Sequence, residues 1–309
     1  MSSTKPKAVK SKRAKTMLLI LAMVVMVGLT CALLVFRYYS SMLNYQGVDD
    51  QNSGYIDDSE KSTDKDVTNI LLIGIDGDED VDRSDTMMLV SINESTETIT
   101  MTSFLRDIYL EIPGRGNDRL NAAFVYGGVS LLIETLEYNF GVKIDSYAMV
   151  GFSGFKNVID ALGGITMELT DEEISYLELE PNDDNTYYFN GAWALRFVRI
   201  RKLDSDFERT DRQKRLLTEV MTEFKSASVL ELNNLLTSVL SEITTNLTEK
   251  DLLGMISSWS SYSKYDIATS AIPIDGSYEY IYVGDMSVID VDFDANREYL
   301  AEAIYGSTD

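Results

Sequence analysis

The sequence predicts an α/β chain: a three-layer α/β/α domain with a central mixed sheet, preceded by one N-terminal transmembrane helix. Three observations carry this. Residues 17–36 form an uncharged, mostly apolar run, about the length that spans a bilayer as a helix. Beyond a polar, acid-rich stretch, short apolar runs alternate with segments of helical spacing, the pattern of a layered α/β domain. The whole is 45% hydrophobic and 25% charged, the composition of a folded chain and not of a disordered one.

Residues 1–16 hold Lys5, Lys7, Lys10, Lys12, Arg13 and Lys15 and no acidic residue. The positive-inside bias makes them a cytoplasmic tail and places everything after the 17–36 span outside the cell. A cleaved signal peptide is the alternative, but no small-x-small site follows the run, and Gly28-Leu29-Thr30-Cys31 is a poor lipoprotein site. Residues 37–67 read as an acidic extracellular stalk. The extracellular domain then occupies 68–309, with its motifs concentrated in 68–225.

Within that domain, Asn69 to Ile75 is a continuous apolar run suited to a strand buried on both faces. Thr86 to Ile92 and Thr98 to Phe104 read as two more strands, joined as a hairpin by Asn93-Glu94-Ser95-Thr96. Val129 to Phe140 has helical spacing between Gly127-Gly128 and Gly141. Tyr147 to Val150 is a strand, Ser153 to Leu162 a helix, and Ile165 to Leu169 a strand. A long helix follows over Asp211 to Phe224, then helices near Leu230 to Leu240 and Leu252 to Tyr262. Strands near Ile267 to Ile272 and Tyr278 to Val283 precede a last helix, Asp294 to Ile304.

The chain has no histidine and a single cysteine, Cys31, inside the apolar run. Ser-His and Cys-His nucleophile pairs, histidine and thiolate metal sites and disulfides are thereby excluded. Chemistry must rest on carboxylates, arginines, lysines, hydroxyls, and a hard cation held by oxygen. The formal charge is −23, and residues 37–309 carry 21 basic against 50 acidic groups. So acidic a body has no general attraction for nucleic acid. Its arginines are nevertheless clustered. Arg199, Arg201, Lys202, Arg209 and Arg212 crowd one stretch, where they either pair with Asp204, Asp206, Glu208 and Asp211 on a solvated face or receive an anion bidentately.

The first strand ends in Ile75-Asp76-Gly77, and Arg83-Ser84-Asp85-Thr86 opens the next. Carboxylates at the mouths of adjacent strands lie where α/β sheets bind ligands. Asp76 and Asp85 could hold Mg²⁺, which keeps waters and takes phosphate oxygens as further ligands, or they could simply make turns. Arg106, directly after the third strand in Ser103-Phe104-Leu105-Arg106-Asp107, is either a functional cation or a structural partner of Asp107. Arg119 in Asp118-Arg119-Leu120-Asn121 is a further candidate. Neither glycine pair fits a Walker or dinucleotide fingerprint.

Read in order, Asn69-Ile70-Leu71-Leu72-Ile73-Gly74-Ile75-Asp76, Arg83-Ser84-Asp85-Thr86-Met87, Ser103-Phe104-Leu105-Arg106-Asp107, Asp118-Arg119-Leu120-Asn121-Ala122-Ala123, Gly151-Phe152-Ser153-Gly154-Phe155 with Ala161-Leu162-Gly163-Gly164, and Arg199-Ile200-Arg201 through Asp206-Phe207-Glu208-Arg209-Thr210-Asp211-Arg212-Gln213 resemble the LytR-CpsA-Psr family of bacterial cell-envelope proteins. The basic tail and single anchor match that family's layout.

The resemblance implies a Mg²⁺-dependent phosphotransferase that moves an anionic glycopolymer, such as teichoic acid or capsular polysaccharide, from a polyprenyl-pyrophosphate carrier onto peptidoglycan at the cytoplasmic membrane. It implies that Arg83, Arg106, Arg199 and Arg201 are catalytic, that these with Arg119, Arg209 and Gln213 contact the pyrophosphate, and that Asp76 and Asp85 hold the magnesium. The sequence departs from the family at Lys202, where histidine is common, and at Phe197-Val198, where tyrosine-serine is frequent. Two rivals share these residues: a non-catalytic membrane-bound regulator, and a binder or hydrolase of polyprenyl pyrophosphate. A tail of about 16 residues has no room for a helix-turn-helix, which argues against DNA binding.

Overall fold

The computed structural model describes residues 44–48, 64–75, 84–200, 206–228, 237 and 239–306. The run at 17–36 lies outside them, and no helix among the described residues is long and apolar enough to cross a membrane.

A mixed seven-stranded sheet forms the centre. In chain order its strands are β1 (Asn44–Tyr45), β2 (Val67–Ile75), β3 (Ser84–Asn93), β4 (Thr98–Phe104), β7 (Ser146–Gly151), β10 (Ile243–Thr245) and β11 (Asp266–Ile272). Their spatial order is β1-β10-β7-β2-β3-β4-β11. The expected hairpin is present: β3 and β4 run antiparallel from Asn93↔Thr98 to Met87↔Phe104. β7 lies parallel to β2 and β11 parallel to β4. Asn44–Tyr45 falls in the stretch read as a stalk, yet it pairs with Thr244 and Thr245 as an edge strand. The polar composition of that stretch hid a short strand, because an edge strand buries little and needs no apolar pattern.

The sheet is apolar on both faces, as its continuous runs require. Leu71 and Ile73 of β2 and Met87 and Leu89 of β3 face α1 (Leu120–Phe140) and α7 (Phe293–Tyr305), meeting Leu132, Leu136, Phe140, Leu300 and Ile304. Met88, Val90 and Met101 face the other way, toward α5 (Asp206–Ser226) and α6 (Glu249–Tyr262), with Leu217, Met221 and Met255 packed over them. A second cluster is built from α2 (Phe152–Ala161), α3 (Asp171–Leu177) and α4 (Gly191–Val198) with the hairpin of β8 (Ile165–Glu168) and β9 (Thr186–Phe189). Leu216 and Val220 of α5 complete it, so α5 is a wall shared by two cores.

Several boundaries differ from the sequence reading for local reasons. Helical spacing begins earlier than Val129: α1 starts at Leu120, and Gly127 (φ −153°) with Gly128 (φ +64°) breaks it internally. A left-handed φ is one that glycine adopts without strain. The acidic and basic residues from 206 to 210 form the first turns of α5, which begins ahead of the expected Asp211. Ile165 to Leu169 is a strand but belongs to the separate β8–β9 pair. The helix expected near Leu230 to Leu240 lies mostly outside the described residues, and a 3-10 turn follows at Leu240–Glu242. The sequence reading missed the hairpin of β5 (Tyr109–Ile112) and β6 (Gly116–Arg119), and β13 (Met286–Val291), which pairs with β12 (Tyr278–Val283).

Candidate active site

A cavity of about 300 Å³ lies between the sheet and α5. Its walls are apolar: Leu72, Met88, Val90, Val150, Leu217 and Phe224 are among them. Asp85, Arg199 and Gln213 line it as well. Gln213 and Phe224 are eleven residues apart on α5, ~16 Å at helical rise, and Asp85 and Val90 mark a similar ~17 Å along β3. The result is a slot with mostly apolar walls that also carries Asp85, Arg199 and Gln213.

The backbone sets the position of Asp85. Gly74 pairs with Thr86 and Ile75 with Ser84, so Asp85 is the extra residue of a β-bulge, a device that re-aims a side chain at the end of a ladder. Gly74 belongs to the same device, because a Cβ there would lie 3.1 Å from the Thr86 Cβ. Arg106 follows β4 and donates from Nη1 to Asp85 Oδ1 at 2.9 Å and from Nε to Asp107 Oδ2 at 3.1 Å. Arg119, the residue preceding the first turn of α1, donates from Nη1 to Asp107 Oδ1 at 3.3 Å. These contacts form one chain: Asp85, Arg106, Asp107, Arg119. The Arg119 Nε is buried without a hydrogen-bond partner among the described residues, which leaves a donor unused. Beside it Asp118 takes the Arg119 backbone N–H at 2.7 Å and the Tyr126 hydroxyl at 2.6 Å. The hydrogen bond to that carboxylate pushes the Tyr126 pKa up.

Arg199 ends α4, and its guanidinium carbon lies 4.5 Å from the centre of the Phe152 ring. A cation over an aromatic face is held without being neutralised by a carboxylate. Asp85, Arg106, Arg119, Arg199 and Gln213 are thus brought together: three line one cavity and two join it through carboxylates. Arg209 falls in α5, but its side chain lies outside the described residues, as do Asp76, Arg83 and Arg201. Among the described residues no group of three acidic or thiol ligands could hold a metal ion.

Arg212 departs from the anion-binding cluster that the sequence suggests. It is 3% exposed, donates to the Ile200 carbonyl at 3.2 Å and lies 3.9 Å from Glu173 Oε1. Arg215, read from sequence as surface charge, donates to the same Glu173 carboxylate at 2.9 and 3.2 Å. Glu173, itself 3% exposed, also accepts the Thr170 N–H in a capping box at the start of α3. Arg212 and Arg215 are therefore structural. Helical spacing held the signal: Arg212, Leu216 and Val220 recur every four residues on the face that enters the second core. The Phe152 platform and the bridging role of Asp107 were also missed, because neither a ring beneath a cation nor a shared carboxylate leaves a spacing pattern.

Residues 35–297 match the model of the LytR_cpsA_psr family. The polyisoprenyl-teichoic acid–peptidoglycan teichoic acid transferase TagU of Oceanobacillus iheyensis is 35% identical over 232 residues, 70% of this chain and 72% of that protein. TagT of Bacillus subtilis, a transferase of the same name, is 32% identical over 204 residues, 62% of this chain and 63% of that protein. Among solved structures, TagT bound to LIIa-WTA aligns with a TM-score of 0.66 and 26% identity, over 79% of this chain and 94% of the other. YwtF (TagT) with bound octaprenyl pyrophosphate lipid aligns with a TM-score of 0.62 and 25% identity, again over 79% and 94%.

Proposed function

The chain belongs to the LytR_cpsA_psr family, and from that premise we propose that it is a phosphotransferase that moves an anionic glycopolymer of the teichoic acid type from a polyprenyl-pyrophosphate carrier to peptidoglycan. The observation that carries the reading is the slot itself. An apolar cavity that Asp85, Arg199 and Gln213 also line, with Arg106 on Asp85, suits a molecule with an isoprenoid tail and a pyrophosphate head. The relatives named for teichoic acid transfer and the fold shared with a protein holding octaprenyl pyrophosphate agree with it.

The chemistry follows from the residues. Phosphoryl transfer demands positioning and neutralisation of charge on phosphate oxygens more than covalent help from the protein. Arg106, Arg119 and Arg199 are permanently charged forks suited to those oxygens. Asp107 fixes two of them in orientation, and Phe152 supports the third. The family resemblance adds Arg83, Arg201 and Arg209 to the pyrophosphate set. A peptidoglycan hydroxyl attacks the phosphorus that bears the polymer, a new P–O bond forms as the hydroxyl releases its proton to solvent, and the lipid phosphate leaves with the electron pair of the broken bond.

Magnesium fits the donor set in chemical type. Asp85 is a hard oxygen donor at a strand mouth, a quarter exposed and lining the cavity. Asp76 follows directly on the strand that pairs with it. One or two carboxylates plus substrate phosphates are the usual Mg²⁺ environment. Asp76 and Asp85 would hold the ion, and when bound it supplies charge neutralisation at the pyrophosphate. The run at 17–36 is the single-pass anchor in this reading, with the basic tail inside the cell and the α/β domain outside.

The test is reconstitution of the full-length protein in detergent with lipid-linked glycopolymer, Mg²⁺ and peptidoglycan. Polymer joined to peptidoglycan is the expected product. Lipid phosphate released without joining would identify a hydrolase, and copurifying polyprenyl phosphate with no turnover a binder. Chelation of the metal abolishes transfer if the magnesium assignment is right.

A further inference from the structure

The outer face of the β5–β6 hairpin leads away from Arg119. Tyr109 pairs with Arg119 and Glu111 with Asn117. Alternate residues of a strand share a face, so these four project together, while Leu110 and Ile112 are buried in the core. Two residues along the hairpin, ~7 Å, lead from the Arg119–Asp107 contact into a second cleft of about 660 Å³. Tyr109, Glu111, Asn117, Tyr138, Asp290 and Arg297 line it. Its volume lies within the range of roughly 300–1,000 Å³ usual for ligand sites.

The lining is chemically mixed. Tyr109 and Tyr138 offer aromatic faces, and Glu111, Asp290 and Asn117 offer planar acceptors and donors. The Tyr138 hydroxyl donates to Glu111 at 3.2 Å, which orients that carboxylate. Rings to stack on, with carboxylates and amides around them, suit a sugar, which presents C–H faces and vicinal hydroxyls. The charge adds a second discrimination. Three carboxylates, Glu111, Glu137 and Asp290, against the one guanidinium of Arg297 repel a polyanion and leave a neutral glycan unaffected.

We propose that this cleft is the acceptor subsite, binding neutral sugar residues of the peptidoglycan strand and presenting a hydroxyl to the phosphate held at the ion-pair chain. The inference rests on the transferase reading above and names its acceptor side. Asp85, at one end of that chain, lines the lipid slot, and Tyr109, paired with Arg119 at the other end, lines the cleft. Attacking and leaving oxygens lie roughly in line in phosphoryl transfer, so an acceptor arriving at the end away from the lipid has the right approach. The anionic donor polymer is the wrong occupant for a cleft edged by Glu111 and Asp290.

The experiment uses full-length protein in detergent and glycan strands stripped of stem peptides. Binding of these strands is measured without donor, and transfer is measured with lipid-linked polymer. Tyr109→Ala, Asn117→Ala and Asp290→Ala are expected to weaken strand binding about tenfold and to raise the acceptor KM in parallel, with the donor KM unchanged. All three positions are at least partly exposed, and unchanged denaturant midpoints confirm that the variants fold. Unaltered strand binding in all three variants overturns the proposal, and so does a change in donor KM in place of acceptor KM. A wild-type protein that binds strands but transfers nothing refutes the transferase reading. Loss of that binding in the variants still supports the glycan cleft.

Discussion

Asp107 accepts from two guanidiniums, from Arg106 at 3.1 Å and Arg119 at 3.3 Å, and its side chain is 13% exposed. In the proposed reaction it touches no substrate; it fixes two forks that do. Small misplacements of such groups are expensive, because the bound geometry supplies much of the rate. Asp107→Asn keeps the size and removes the charge. It should lower kcat by about ten- to a hundredfold while leaving lipid binding nearly intact, read by separate kcat and donor KM measurements. An unchanged kcat would remove Asp107 from the mechanism. Glu173 makes the opposite case, since its carboxylate organises Arg212, Arg215 and the Thr170 cap away from the slot. Glu173→Ala takes a carboxylate from a buried arginine and should cost about 3 kcal/mol of stability. Arg215→Ala should cost less, because Arg215 is 32% exposed. Urea unfolding of both variants gives the order directly.

At the scale of elements, α5 does two jobs with two stripes. Leu216 and Val220 close the second core and also border the slot, while Gln213, Leu217 and Met221 line the slot outside that core, and Arg212 turns to Glu173. A large side chain on the slot stripe should block the lipid while Leu216 and Val220 keep the second core closed. Leu217→Trp is expected to raise the donor KM about tenfold or more with thermal stability held. A normal donor KM would mean that the isoprenoid does not run under α5. The stripes also explain what the sequence made legible. Continuous apolar runs disclosed β2, β3 and β4, and the turn at Asn93 disclosed their hairpin, because each buries enough surface to force a pattern. The β5–β6 hairpin buries alternate residues only over four positions, and its charged outer face reads as loop. Asp85, Arg106, Arg119 and Arg199 were readable as charges near element ends, whereas Gln213 came only with the family resemblance. Which arginine faces a ligand and which a buried glutamate depends on one helical turn of phase, which the spacing held but charge counting could not show.

Over the whole molecule, two fields of opposite sign act on an anionic donor. Residues 37–309 carry 21 basic and 50 acidic groups, a formal charge of −29, which repels a polyphosphate at long range. The arginines around Asp85 attract it only at close range, where Arg106, Arg119 and Arg199 stand within one connected site. Salt separates the two, because screening shortens from about 30 Å at 0.01 M ionic strength to about 8 Å at 0.15 M. Long-range repulsion should fade over that interval, while contacts inside the partly enclosed slot persist. The expected outcome is that kcat/KM for a long anionic donor rises as salt increases to 0.15 M, whereas a donor cut back to its first uncharged sugars changes little. A basic polyanion-binding surface behaves in the reverse sense, losing affinity steadily with salt. Measuring kcat/KM for both donors across the series decides the matter. A steady fall for the long donor would mean that local arginine contacts outweigh the body's charge even in the encounter, and that the acidic surface plays no part in how the donor arrives.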